Sequence, residues 1–191
     1  INVINNILTK CKTSTEGFEG EVTLDNYYDA VMFLGGHGGG IANIGKGKMS
    51  LKNCLVNKNT GVFSGGISSL GDLEMSNCDV TYNSSKVDAE LGSYNSFSGG
   101  ICCLAGTNTL TNCTISSNIS YSEGTGGISL LGKTNKVLSC NITDNTCSTE
   151  PESSDKANSS SGGIEIGGGM SSVEDTEIKD CEITGNRAPY N

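Results

Sequence analysis

The chain has 191 residues, and hydrophobic residues make up 35% of it against the roughly 45–50% of an ordinary globular domain, so one domain is expected but one thick core is not. Lys and Arg number 12 against 21 Asp and Glu, and the resulting charge of −9 argues against nucleic acid or an anionic membrane as partner. No apolar run approaches the length of a membrane-spanning helix, so no direct membrane insertion is expected.

The first 38 residues follow the pattern of the later repeats only loosely. Val3, Asn6 and Cys11 predict an incomplete first coil, with Asn6 where later repeats have Cys and Cys11 where they have Asn. An insert and a return strand would follow between residues 16 and 34. We therefore treat residues 1–38 as an irregular or incomplete first coil with an insert.

From residue 39 onward, two short phrases alternate five times. One is Gly-Gly-Ile; the other is Cys-x-[Val/Ile]-x-x-Asn, with an apolar residue three positions before the Cys. The first phrase begins at Gly39, Gly65, Gly99, Gly126 and Gly162. The second begins at Cys54, Cys78, Cys113, Cys140 and Cys181, and ends at Asn59, Asn83, Asn118, Asn145 and Asn186. Such repetition is typical of a solenoid.

The spacing of the phrases shows where the repeats differ in length. From Ile to Cys there are 11 to 13 residues in four repeats and 17 in the fifth. From the closing Asn to the next Gly-Gly the distance ranges from 6 to 17 residues, with long inserts expected over residues 84–98 and 146–161. Length variation at one corner is typical of a coil whose shaft is constant.

Within a repeat the hydrophobic period is two, as in Leu73-Glu74-Met75 and Cys140-Asn141-Ile142. Frequent Gly and β-branched residues leave no amphipathic helix. The sequence therefore predicts an all-β fold, a right-handed parallel β-helix of about six coils with inserts at one corner, whose repeats occupy residues 39–191. Because no polar capping element is visible at either end, we expect these repeats to belong to a longer array.

The two phrases predict different corners of the coil. Gly-Gly is expected to supply backbone angles with φ > 0. The closing Asn is expected to turn inward and to bond both the backbone of its own corner and the equivalent Asn of the next coil. Stacked coils would then contain an asparagine ladder.

These phrases resemble right-handed parallel β-helix repeats of the polymorphic outer membrane protein type, which occur in secreted and surface adhesins. The matching segments are Ser64-Gly65-Gly66-Ile67 with Val80-Thr81-Tyr82-Asn83, and Ser98-Gly99-Gly100-Ile101 with Ile115-Ser116-Ser117-Asn118. Those families carry Gly-Gly-Ala-Ile and Phe-x-x-Asn, whereas Val or Ile stands here in place of Phe. The resemblance covers roughly residues 39 to 191 and implies the fold and an extracellular or cell-surface location.

The five repeated cysteines are predicted to line up inside the solenoid. They could form a buried stack of thiols or, in an oxidising compartment, disulfides between adjacent coils, because neighbouring coils bring their Cα atoms within the range that a disulfide allows. Cys102 and Cys103 are expected to face opposite sides, so that at most one joins the core, and Cys147 is expected in an insert. Without a CxxC pair or a second His, no zinc site, other metal site or cofactor is predicted.

Five Asn-x-Ser/Thr acceptors are candidates for N-glycosylation. Asn83 and Asn118 belong to the predicted ladder and should point inward. Asn141 lies between two inward residues and should face solvent, while Asn158 lies in a long insert. If the protein is glycosylated, Asn141 and Asn158 are therefore the better candidates.

Paired carboxylates on a strand face would indicate an enzyme that cleaves polysaccharides. Glu74, Asp79 and Glu182 are predicted to face outward, but acids do not recur as a compact pair, and Arg187 is the only Arg that could assist them. No catalytic residue is assigned.

The sequence thus favours a non-enzymatic extracellular structural or adhesive β-helical rod segment, one form of which would be a subunit of a surface filament. Self-association or a surface or glycan partner is expected. The alternative is a polysaccharide-active enzyme or a carbohydrate-binding module on the same scaffold, because the fold alone does not decide function.

Overall fold

The computed structural model of the protein describes residues 2–4, 38–86, 97–121, 124–148, 161–167 and 173–188. These residues contain 20 short β-strands and no helix, and all strand pairs are parallel. The strands form four sheets. Asn6, Cys11 and Asn158, on which predictions were made, lie outside the described residues.

The chain visits the four sheets in a fixed order. The first sheet contains β2 (Ile41–Asn43), β6 (Ile67–Ser69), β10 (Ile101–Cys103), β14 (Ile128–Leu130) and β18 (Ile164–Ile166). The second contains β3 (Met49–Lys52), β7 (Leu73–Ser76), β11 (Thr107–Thr111), β15 (Thr134–Leu138) and β19 (Asp175–Lys179). The third contains β1 (Asn2–Ile4), β4 (Leu55–Asn57), β8 (Asp79–Thr81), β12 (Thr114–Ser116), β16 (Asn141–Thr143) and β20 (Glu182–Thr184). The fourth contains β5 (Thr60–Gly61), β9 (Ser84–Ser85), β13 (Ile119–Ser120) and β17 (Thr146–Cys147).

One passage through the sheets is one coil. Coils 1 to 4 comprise residues 38–61, 64–85, 98–120 and 125–147, and the described parts of coil 5 are residues 161–167 and 173–187. In coil 5, a bridge between Thr146 and Arg187 takes the place of a strand in the fourth sheet. Since β1 adds one strand of a preceding coil, the prediction of an all-β parallel β-helix with about six coils is confirmed.

The register is strict, so equivalent side chains lie directly above one another. Val56, Val80, Ile115 and Ile142 form one such column and have no solvent exposure. Burying each of these side chains contributes about 1.5–3 kcal/mol. The core is therefore a stack of thin apolar layers, which is how a chain with few hydrophobic residues buries enough apolar surface.

The register of β1 differs from the predicted one. Val3 pairs with Val56, the residue two positions after Cys54, whereas the predicted alignment would have placed Val3 three positions before a cysteine position. The alternation of side chains around Val3 fits two alignments with the later repeats, and the pairing of β1 with β4 selects one of these alignments.

Inserts lie at one corner, between the fourth sheet and the beginning of the next coil. The predicted insert boundaries were too wide, however, because Ser84–Ser85 and Thr146–Cys147 are ladder-paired strands and Ser98 is bridged to Ser64. In coils 1 to 4 the variable lengths therefore start only after the fourth sheet, whereas in coil 5 the connection from β18 to β19 is also longer than its counterparts. This arrangement keeps the ladder residues of every coil in register.

Candidate functional site

The repeated asparagines form a continuous ladder through the five described coils. In each step, the Oδ1 atom of one Asn accepts two hydrogen bonds of 2.9–3.0 Å, from the backbone N–H and from the Nδ2 atom of the Asn in the preceding coil. The steps run in the order Asn59, Asn83, Asn118, Asn145, Asn186. The asparagine ladder expected from the sequence is therefore present.

The second Nδ2 hydrogen of the ladder asparagines also has a partner. It donates to the backbone carbonyl of the Val or Ile in the preceding coil, as from Asn118 to Val80 at 2.9 Å. The same bond is made by Asn83 to Val56, Asn145 to Ile115 and Asn186 to Ile142. The prediction had placed this bond within the corner of the same coil. Bonding across coils instead makes each Asn a link between two turns of the chain.

The Gly-Gly phrase lies directly against the ladder. A Cβ atom on Gly99 would lie 2.5 Å from the backbone carbon of Ile119, and one on Gly100 would lie 2.5 Å from the carbonyl oxygen of Gly127 and 3.1 Å from Asn118 Nδ2. None of the described paired glycines has φ in the left-handed region, so the prediction of φ > 0 was wrong. Glycine is needed here because two backbone segments and the ladder approach too closely for a side chain.

Left-handed backbone occurs instead at the residues just before each ladder Cys and each ladder Asn. The first set has φ of 51–54° and comprises Asn53, Asn77, Asn112, Ser139 and Asp180. The second set has φ of 55–68° and comprises Lys58, Tyr82, Ser117, Asp144 and Gly185. Two such bends frame each strand of the third sheet in coils 1 to 5. They turn the Cys and the Asn inward on either side of it.

The repeated cysteines form a second column at the corner between the second and third sheets. Cys54, Cys78, Cys113 and Cys140 are buried, and Cys181 is partly exposed. Every one of the five thiols donates to the carbonyl two residues earlier at 3.2–3.3 Å. The backbone N–H of Cys113 also donates to Cys140 Sγ, and that of Cys140 to Cys181 Sγ, both at 3.4 Å. All five are free thiols in this structure.

Among the thiols of the column, Cys113 and Cys140 affect each other's pKa most clearly. A hydrogen bond between the two thiols, and after it burial, favours the protonated form of Cys113 and raises its pKa far above its ordinary value. The same hydrogen bond, with backbone donors and against the effect of burial, lowers the pKa of Cys140 to about 7. Of the two thiols, Cys140 is therefore the one that ionises more readily.

The other described cysteines differ from their predictions. Cys103 faces the coil interior and Cys102 faces outward, as expected, yet both are completely buried. Cys102 belongs to an outer apolar cluster that includes the stacked rings of Phe63 and Phe97, whose centroids lie 5.4 Å apart. Cys147 lies buried in β17 and not in an insert. Alternation predicted that the two cysteines face opposite sides, but not that apolar side chains cover Cys102.

A short second asparagine pair was missed by the sequence analysis. Asn108 Nδ2 donates to Asn135 Oδ1 at 3.0 Å inside the coil, and both residues have no solvent exposure. In register with them are Leu73 in coil 2 and Thr176 in coil 5. The Asn108 Oδ1 atom and the Thr176 hydroxyl are buried without a hydrogen-bond partner. The sequence did contain a signal for this pair. Asn108 and Asn135 lie two residues before the inward Leu110 and Val137, and residues two apart on a strand face the same side.

The candidate carboxylates are not brought together. Asp79 and Glu182 share one outward column of the third sheet, but Thr114 and Asn141 lie between them, a separation of about 14 Å at about 4.8 Å per step. This exceeds the roughly 5–9.5 Å between the acids of glycosidases. Glu74 lies on the second sheet, where an exposed ion pair with Lys48 lowers the pKa of the Glu74 carboxyl.

The outward face of the third sheet carries small polar side chains in register. One column contains Asn57, Thr81, Ser116, Thr143 and Thr184. Asn57 Nδ2 donates to Thr81 Oγ1 at 2.6 Å. Asn141, the predicted acceptor, lies in the adjoining column and is exposed, whereas the ladder acceptors Asn83 and Asn118 are buried. Asn141 is thus accessible on a flat surface.

Comparison with known proteins gives no relative for this chain: no family model matches it, and no curated protein or solved structure is significantly similar. Within the described ranges, no helix is long and apolar enough to cross a membrane. In that same part of the chain, no three His, Cys, Asp or Glu side chains converge on a possible metal position. The function must therefore be inferred from the geometry of the coil itself.

Proposed function

We propose that the protein is an extracellular structural or adhesive rod segment, whose shaft is the β-helix and whose variable corner contacts a surface or glycan partner. The observation that carries the proposal is the unbroken asparagine ladder from Asn59 to Asn186. An enzyme needs one precisely arranged active site, whereas in this chain the same inward, hydrogen-bonded asparagine recurs in every described coil.

The ladder supports stiffness along the coil axis. Each step contains two hydrogen bonds between asparagines. From Asn83 onward, each ladder Asn also donates a third hydrogen bond to a backbone carbonyl of the preceding coil. A buried hydrogen bond contributes about 0.5–1.5 kcal/mol net, and leaving a partner unpaired costs about 1–3 kcal/mol. Bending or shearing one coil against the next would break several of these bonds together.

The last described coil supports assembly along the same axis. Its core-facing Ile178 and Ile183 are 39% and 45% exposed, although the equivalent residues of the inner coils are buried. One edge of β18, β19 and β20 has no strand beside it among the described residues. Such an edge accepts another coil, which in a longer array is the next repeat and between two copies would extend the rod into a filament.

Negative-stain microscopy with paired variants tests filament formation. The protein is expected to form fibres of constant width, and Ile183→Lys is expected to abolish them by placing a charge on the stacking surface. Thr184→Lys is the matched control because Thr184 is on the same strand but in the outward column. Fibres that survive Ile183→Lys, or particles without elongated shape at any concentration, would contradict the filament proposal.

The second candidate is a carbohydrate-binding module, and the outward hydroxyl column supports it. Thr81, Ser116 and Thr143 present uncharged donors and acceptors at a regular spacing, suited to a neutral, extended polysaccharide. Binding would be measured by co-sedimentation with a panel of insoluble neutral and acidic polysaccharides. Retention that is lost in Ser116→Arg would favour the module, and release of reducing or unsaturated ends would instead show an enzyme.

A further inference from the structure

The cysteine column places five sulfurs at one position in successive coils. Each Cys immediately precedes a strand of the third sheet, and these strands are paired in register. Neighbouring strands lie about 4.7–4.9 Å apart, so the sulfurs follow each other at close to this interval. Bonds of 3.4 Å from the N–H of Cys113 to Cys140 Sγ and from that of Cys140 to Cys181 Sγ show the same geometry at two successive steps.

We propose that this column binds soft monovalent metal ions, Cu(I) or Ag(I), with one ion between each pair of neighbouring sulfurs. Zinc–thiolate bonds are about 2.3 Å long, and bonds of about that length on both sides of an ion make a straight sulfur–metal–sulfur unit about 4.6 Å long, which matches the interval between coils. Thiolate sulfur is the ligand that selects Cu(I). One thiol per coil offers an ion two ligands on opposite sides, which suits two-coordinate soft ions and not tetrahedral zinc.

Binding exchanges protons for ions without leaving a net charge in the core. Five sulfurs leave four gaps, and each ion that enters a gap displaces one thiol proton to solvent. Four monovalent ions, five thiolates and the one remaining proton sum to zero charge. No electron is transferred. An uncharged product is important because an unbalanced charge in the core would be costly.

The partly exposed end of the column provides a route for the ions. Cys181 is the least buried of the five, and it lies in the coil where Ile178 and Ile183 are also exposed. The first gap to fill is therefore that between Cys181 and Cys140. The gap between Cys140 and Cys113, one coil further from the exposed end, fills next.

Silver(I) is the probe, because it does not change oxidation state in water. The reduced protein would be titrated with silver nitrate in chloride-free buffer and passed through a desalting column, and the ions retained per chain would be measured by mass spectrometry. Cys113→Ser removes the gaps on both of its sides and is expected to retain two fewer ions than the native chain. Cys103→Ser is the matched control, since Cys103 is equally buried but has Ser69 and Leu130 above and below it; it is expected to lose none.

Cys181→Ser provides a second variant in case Cys113→Ser fails to fold. It removes only the terminal gap and is expected to retain one ion fewer. Equal losses from the Cys103 and Cys113 variants, or from the Cys103 and Cys181 variants, would show that thiols bind silver independently and would overturn the proposal. So would a native chain that retains no silver after desalting.

Discussion

Two asparagine columns inside the same coil differ in how completely they are bonded. The ladder from Asn59 to Asn186 continues through every described coil, and its inner members have all their amide groups paired. The pair Asn108 and Asn135 spans only two coils, and Asn108 Oδ1 has no partner because Leu73 lies where a donor would be needed. The same side chain is thus a fully paired link in one column and an incompletely paired one in the other.

The difference shows what a ladder requires. An inward amide needs the same residue in the coils on both sides and a backbone carbonyl within reach. At the long ladder the Gly-Gly phrase also brings the neighbouring backbone close, and the amide packs against it. A single inward Asn without these features carries the cost of an unpaired buried atom.

The largest effect is expected where a complete ladder is interrupted. Asn118→Leu removes partners from Asn83, Asn145 and the Val80 carbonyl, and should lower the free energy of unfolding by about 3–6 kcal/mol. Asn108→Leu removes an oxygen that is already unpaired but leaves Asn135 Oδ1 and the Ala105 carbonyl without this donor, so a smaller loss of about 1–3 kcal/mol is expected. Urea denaturation of both variants measures this contrast, and equal losses would remove the distinction between the two columns.

The glycine that packs on the ladder should rank next. Gly100→Ala places a Cβ 2.5 Å from a backbone oxygen, so the coil must shift, at an expected cost of about 1–3 kcal/mol. Gly47→Ala is the control, because no atom lies within 4 Å of its Cβ position. A Gly100→Ala protein that melts at the temperature of the Gly47→Ala protein would contradict the steric account.

A donor placed at position 73 should repair the end of the short pair. Thr and Val have the same shape, and a buried Thr hydroxyl without a partner would make Leu73→Thr the less stable variant. Because the hydroxyl at position 73 can donate to Asn108 Oδ1, the unfolding free energies of Leu73→Thr and Leu73→Val should agree to within about 0.5 kcal/mol. At Val80, which has no unpaired neighbour, the change to Thr should cost about 1–3 kcal/mol. A Thr penalty of the same size at both positions would show that Asn108 Oδ1 is not available.

The smallest effect concerns the thiol column and depends on pH. Since the folded pKa of Cys140 is lowered to about 7, its contribution to stability is present above the ordinary thiol pKa of 9.0 and is lost as the pH falls through about 7. The raised pKa of Cys113 acts oppositely, giving a contribution that is lost as the pH rises above 9.0. Stability under reducing conditions should therefore increase between pH 7 and pH 9.

Cys113→Ala is the variant that isolates this pH dependence, because it removes the donor that lowers the pKa of Cys140. The difference in unfolding free energy between the native chain and this variant should grow from pH 7 to pH 9. A difference that is constant over this range would show that the two thiols are not coupled.

Repetition made the fold and the long ladder predictable. Because Cys and Asn recur at fixed spacing, one alignment of the chain with itself identifies the third sheet, its inward residues and the corner where lengths vary. Single positions were less predictable. The close packing of the Gly-Gly phrase and the left-handed backbone at Asn53 or Lys58 depend on which backbone segments lie next to each other in the coil. A short sequence phrase does not contain that information.

Features that do not recur were missed for the same reason. Asn108 and Asn135 occur in only two repeats, and the burial of Cys102 depends on the rings of Phe63 and Phe97, which immediately precede coils 2 and 3. Alternation predicted correctly that Cys102 and Cys103 face opposite sides. It could not predict what lies opposite, because that requires the register between coils.

The residue in the left-handed bend before each ladder Asn contributes to the solvent-facing surface, whereas the Asn that follows it supports the shaft. Its occupants are a lysine, a tyrosine, a serine, an aspartate and a glycine, yet the Asn that follows each one is bonded into the same ladder. Substitution at this row can therefore change the charge and chemistry of the surface one turn at a time. A lineage of such proteins could acquire new recognition properties here while the interior stays unaltered.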